Sequence, residues 1–110
     1  MLNQVVLVGR LTSDPEAVVL EGGHKKSVFS VAVPRSYKNQ NGEYETDFIR
    51  CVLWDAIAVS TAEHCKKGDI VGIKGRIQVS SYEKNDKKEF ITEVIAEKVT
   101  FLSSKKQENI

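Results

Sequence analysis

Apolar positions recur along this chain mostly with the period of two that belongs to strands, and once with the period of a helix. Val5 to Leu11 is a β-branched run that stops at the turn-forming Thr12-Ser13-Asp14-Pro15. Ala17 to Leu20 is a short apolar piece broken by Gly22-Gly23, a pair able to take the positive φ of a tight turn. Phe29, Val31 and Val33 then alternate with Val28, Ser30 and Ala32, predicting a half-buried strand that closes at Pro34. The polar stretch Lys38 to Glu43 carries an Asn41-Gly42 hairpin signal, and Phe48 to Trp54 reads as the third main strand.

Helical spacing appears at Ile57, Ala58, Thr61, Ala62 and Cys65. Asp55 is the expected cap of that helix, and Gly68 its expected stop after Lys66-Lys67. Strand character resumes from Asp69 to Tyr82, Asn85 to Lys88 reads as a hairpin tip, and Phe90 to Leu102 as the last strand. Three strands, one short helix and two long strands make an all-β chain with the order of an OB-fold, a five-stranded Greek-key barrel with its helix between strands 3 and 4. SH3-like barrels lack that helix, and doubly wound α/β folds need several.

The 110 residues suit one domain, read as residues 1–103, followed by a short polar tail at 104–110. Apolar content of 41% argues against wholesale disorder. No apolar stretch approaches the roughly 18 residues of a membrane span, and the opening Met1-Leu2-Asn3-Gln4 lacks a basic leader, so no membrane partner and a cytoplasmic location are expected. The net charge is only +1. A nucleic-acid partner would therefore have to be met by a local basic stripe, because the whole chain exerts little long-range attraction.

Enzymatic signatures are missing. Gly68, Gly72 and Gly75 lack phosphate-loop spacing and read as bends in a small barrel. Ser60 and His64 stand one helical turn apart but have no orienting carboxylate. Glu43/Glu45 and Glu93/Glu97 lie in lysine-rich stretches and read as solvated charge, and His24 beside Lys25-Lys26 as a solvated turn residue. Cys51 and Cys65 lack metal-ligand spacing and read as small reduced core residues, so neither a cofactor nor a metal is expected.

Strand parity singles out one surface. Ile49, Cys51 and Leu53 share one side of their strand, and Phe48, Arg50, Val52 and Trp54 the other. Val71, Ile73, Ile77 and Val79 are expected to point inward, leaving Lys74, Arg76, Gln78, Ser80 and Tyr82 outside. With Tyr37 and Arg35 added, aromatic residues on three segments interleave with Arg35, Arg50, Lys74 and Arg76. Unpaired bases stack on such rings while cations take the phosphates between them, and a duplex hides the faces that would stack. The same rings also suit a core or a protein interface, which these residues alone leave open.

The sequence blocks Asn3 to Glu16, Phe29 to Val33 with Arg35-Ser36-Tyr37, Thr46 to Trp54, Lys66 to Asp69, Gly75 to Gln78 and Thr92 to Val94 resemble the bacterial single-stranded DNA-binding protein family. The resemblance runs over roughly residues 2 to 102. It implies a non-enzymatic OB-fold domain that binds single-stranded DNA without strong sequence preference in replication, recombination, repair or uptake. It implies stacking at Tyr37, Phe48, Trp54 and Tyr82, basic contacts at positions such as Arg50, and a homotetramer paired through Asn3 to Arg10. Typical members continue into a glycine-rich linker and an acidic tip; this sequence stops at Ile110 with a lysine-containing tail, so recruitment of repair enzymes through such a tip is not expected. Relatives often carry arginine at the position of Ser80, and Pro34 replaces a usual polar residue.

Overall fold

A computed structural model describes residues 1–104. Its elements are β1 (Val5–Leu11), β2 (Val18–Val19), β3 (Lys25–Lys38), β4 (Tyr44–Trp54), α1 (Asp55–His64), β5 (Ile70–Lys84) and β6 (Lys87–Ser103). The five long strands close in the order β1-β5-β6-β4-β3, because β1 pairs with β5 through Val5 to Arg10 and with β3 at Arg10 and Leu11. This is the expected OB barrel. The short apolar piece at Val18–Val19 adds a sixth strand, paired with Lys25 and Lys26 across a turn in which Gly22 and Gly23 both have positive φ. Residues 105–110, most of the expected tail, lie outside the described part.

The inner face is built as strand alternation demands. Leu11, Phe29, Val31, Cys51, Leu53, Val71, Ile73, Val94 and Ala96 form the core, with Ala58 and Cys65 closing it from the helix side. Each large side chain so buried contributes about 1.5–3 kcal/mol. Both cysteines are free and buried, and burial pushes the Cys51 thiol up to about 12.

Two glycines permit closure. A Cβ on Gly9 would meet the Ala32 carbonyl oxygen at 2.9 Å, where β1 crosses to β3. A Cβ on Gly75 would run into the Ile95 carbonyl oxygen. Next to it the β5–β6 register skips Glu97, since Lys74 faces Lys98 and Gly75 faces Ala96. That bulge bends the pair as it leaves the barrel. The seam between β4 and β6 is parallel and short, with Cys51 opposite Val94 and Val52 opposite Ile95.

Three local expectations are corrected. Ile77 and Val79 keep the inward parity of Val71 and Ile73 but are exposed: β1 stops pairing with β5 at Gly75, and beyond the level of Val94, the partner of Ile77, the β5–β6 hairpin runs on past the core as a two-stranded arm. Asp55 does not cap the helix: the N-cap position is Trp54 with no side-chain bond, and the Asp55 carboxylate turns to the Lys25 N–H instead. The helix also ends earlier, at His64, with the Cys65 N–H on the Thr61 carbonyl. Gly68, at φ 92°, belongs to a separate turn whose N–H donates to the Leu11 carbonyl and so fastens it to β1.

Candidate nucleic-acid interface

On β4 the side chains opposite the core are Phe48, Arg50, Val52 and Trp54. Their partners across β3 are Ala32, Ser30, Val28 and Lys26. Small residues beside Phe48 and Arg50 leave those side chains standing above the sheet, and Phe48 is 68% exposed. Trp54, 39% exposed, ends the row, and the Lys26 Nζ lies 5.2 Å from its ring centroid. Phe48 and Trp54 are six residues apart on one strand, hence about 20 Å apart along it. Val52, between Val28 and Ile95 in the register, is buried.

Arg50 stands between the two rings. Its Nε donates to Glu93 Oε2 at 2.7 Å across the parallel seam, and Ser80 Oγ donates to Glu93 Oε1 at 3.3 Å. Gln78, opposite Glu93 on β5, takes a bond from Arg76 Nη1 at 2.9 Å. Glu93 is therefore no solvated surface charge, as its lysine-rich context implied, but the anchor of a polar strip connecting β4 to β5. Tyr82 continues the parity of Arg76 and Ser80 on the exposed arm.

Not every expected residue joins this face. Arg35 meets Asp47 through Nε and Nη2 and Glu45 through Nη1. Asp47 and Glu45 have the parity opposite to Phe48, so this clamp sits on the other side of the β3–β4 hairpin. Arg35 holds the Asp47 carboxyl below its ordinary range, and Asp47 in turn raises the guanidinium further. Tyr37 is exposed in the irregular stretch of β3 between Pro34 and Lys38. Lys74 faces outward on β5, but its register neighbours are Val6 and Lys98, toward β1 and away from Phe48.

The structure adds groups that the sequence pattern does not single out. Tyr44 shares the parity of Phe48 and lies under the Lys38 ammonium, 5.7 Å from the ring centroid; that parity alone would have found it. Phe90 on the arm is covered in the same way by Lys88 at 5.6 Å. Lys26, which the sequence pattern did not single out, is a strand residue of β3. The Ser60/His64 pair borders a cavity of about 430 Å³ lined also by Thr61, Cys65, Val99 and Phe101. His64 Nδ1 donates there to the Ser60 main-chain carbonyl at 2.7 Å, so the ring is occupied with the backbone. Among the described residues no cluster of His, Cys, Asp and Glu could hold a metal ion, and no helix is long and apolar enough to cross a membrane.

An exposed row of rings separated by a guanidinium, on a sheet with an adjoining arm, can stack flat partners and hold anions between them. Comparison with known proteins agrees. The profile of the Single-strand binding protein family matches residues 2–102. Single-stranded DNA-binding protein B of Bacillus subtilis is 45% identical over 109 residues, covering 98% of this chain and 96% of that protein. Single-stranded DNA-binding protein 2 of Listeria monocytogenes is 50% identical over 106 residues, which make up 96% of this chain but 66% of the longer relative. In three dimensions the chain is similar to a Plasmodium falciparum SSB solved in complex with ssDNA, at a TM-score of 0.83 and 27% identity, over 94% of this chain and 96% of that one.

Proposed function

The chain belongs to the Single-strand binding protein family, and on that footing we propose that it binds single-stranded DNA without strong sequence preference and shields it during replication, recombination, repair or uptake. One observation carries the reading: Phe48 and Trp54 flank Arg50 on a single exposed face, with no layer of the described chain over Phe48. Bases stack on Phe48 and Trp54, and on Tyr82 and Tyr37 where the strand follows the two hairpins. Arg50, Arg76 and Lys74 draw the phosphates. Arg35 serves as a positioning residue that stiffens the Tyr37 hairpin through Asp47 and Glu45. The reaction catalysed is none; the protein acts by occupancy, and its location follows the DNA it coats on the nucleoid.

Copies assemble as a homotetramer through β1. Two features support this: β1 pairs with β3 only at Arg10 and Leu11, which leaves the outer edge of Val5 to Gly9 without a ladder partner among the described residues, and Val6 and Val8 are exposed beside that edge. An open, apolar edge favours a second strand. The function is tested by titrating the protein with poly(dT) and with duplex of equal length while following Trp54 fluorescence. Quenching by poly(dT) alone is expected; equal response to duplex, or none to either, overturns the reading.

A further inference from the structure

Two of the arginines expected to meet phosphates already have carboxylate partners, Arg35 in Asp47 and Glu45 and Arg50 in Glu93. At the Trp54 end of the face the register places another cation. Lys26 lies directly across the β3–β4 ladder from Trp54, with its ammonium over the indole, and it makes no ion pair among the described residues.

The backbone beside it is held in an uncommon way. Asp55, which follows Trp54, has φ 52°, a left-handed conformation that costs a residue other than glycine conformational energy. Its carboxylate accepts the Lys25 N–H at 3.1 Å and His24 Nδ1–H at 3.3 Å. One carboxylate thus ties the β2–β3 turn to the start of α1. Lys26 is fixed from both sides, by the ladder to Trp54 and by its anchored neighbour. The Asp55 oxygens are engaged with Lys25 and His24, so their charge is directed to the turn.

We propose that Lys26 is a phosphate contact of the binding face, receiving the phosphate beside the base stacked on Trp54, and that Asp55 with His24 and Lys25 is the clip that positions it. This rests on the reading that the face binds single-stranded DNA. A base and an ammonium compete for the same π surface. When the base arrives the ammonium leaves the ring, and the adjoining phosphate is the anion within its reach. The path of the strand then runs past the end of β4 onto the β2–β3 hairpin, where Val18 is the cross-strand neighbour of Lys26.

The test is fluorescence anisotropy of a labelled dT oligomer between about 50 and 200 mM salt, with thermal melts to verify folding. Lys26→Met is expected to flatten the plot of log affinity against log salt by about 0.7, the value for one phosphate on a single strand. Lys26→Arg is expected to restore the slope, and Asp55→Gly, which suits the positive φ but removes the carboxylate, to lose part of it. A wild-type slope in Lys26→Met, with Phe48→Ala still weakening binding, overturns the Lys26 contact and leaves the wider reading standing. A wild-type slope in Asp55→Gly overturns the clip. Unchanged affinity in Phe48→Ala counts against the wider reading itself.

Discussion

Arg50 reaches across the β4–β6 seam to Glu93, with Nε 2.7 Å from Oε2, and the two side chains differ sharply in burial: Glu93 is 9% exposed and Arg50 41%. Removing the guanidinium strands a carboxylate that water hardly reaches. Arg50→Ala is expected to destabilise the fold by about 1–3 kcal/mol, and the Arg50→Ala/Glu93→Ala double variant by less than the sum of the single changes. Urea unfolding of the four proteins measures the coupling. Strict additivity would mean that the pair contributes nothing as a pair.

Phe48 separates binding from folding. With most of its ring in solvent it adds little to the core, yet it offers a full stacking face. Phe48→Ala is expected to lower affinity for a dT oligomer by about 1–3 kcal/mol with an unchanged melting temperature. A matching fall in stability would instead identify it as a packing residue.

Gly75 is a position where a single methyl is felt. The added Cβ would run into the Ile95 backbone beside the bulge at Glu97, and backbone yields less readily than a side chain. Gly75→Ala is expected to destabilise the barrel by about 1–3 kcal/mol or more, read from urea midpoints; Gly72→Ala, whose Cβ would meet only ordinary contacts starting at 3.6 Å, serves as the mild control.

Asp47 and Asp55 give the protein an acid-side dependence. Asp47 is held below its ordinary value of 3.8 by the bond from Arg35, and Asp55 by the bond from the Lys25 N–H and then by His24. Lowered values in the folded chain mean that this stabilisation is in place above about pH 4 and is lost as pH falls through the lowered values. Both groups face solvent, so the loss is small. Carbon-13 carboxyl titration should find both below 3.8, with Asp47 returning toward that value in Arg35→Ala.

Val6→Asp probes assembly. A charge placed on the exposed side of β1 beside the open edge is expected to reduce the mass seen by light scattering from that of the proposed tetramer toward smaller species, without loss of the strand signature in circular dichroism. An undiminished mass would move the subunit contact elsewhere.

Parity along Val28 to Val33 and Phe48 to Trp54 was readable from residues because alternation is a local property of a strand. The barrel order was readable as well, since one helix among five strands admits few closures. The extent of each strand past the core was not. Ile77 and Val79 obey the same alternation as Val71 and Ile73, and only the end of β1 opposite Gly75 decides that they are left uncovered. Lys26 was hidden because the ring it covers arrives from the next strand, and Asp55 because its left-handed φ aims the carboxylate back at the β2–β3 turn. Arg35 shares sequence neighbourhood with Tyr37 but meets its carboxylates on the reverse of the hairpin.

Only two registered pairs zip β4 to β6, and the partners at Arg50 and Glu93 are 43 positions apart in the chain. The β3–β4 and β5–β6 hairpins assemble from near neighbours, so this junction is formed at a higher entropic cost than either and, with the equally short β1–β3 contact, is a place for the cylinder to breathe. Amide protons at Val52 and Ile95 should accordingly exchange with deuterium sooner than that of Ile73, which lies within long ladders on both sides. Each such excursion would also carry the guanidinium away from its acid, baring positive charge for as long as the staves stand apart.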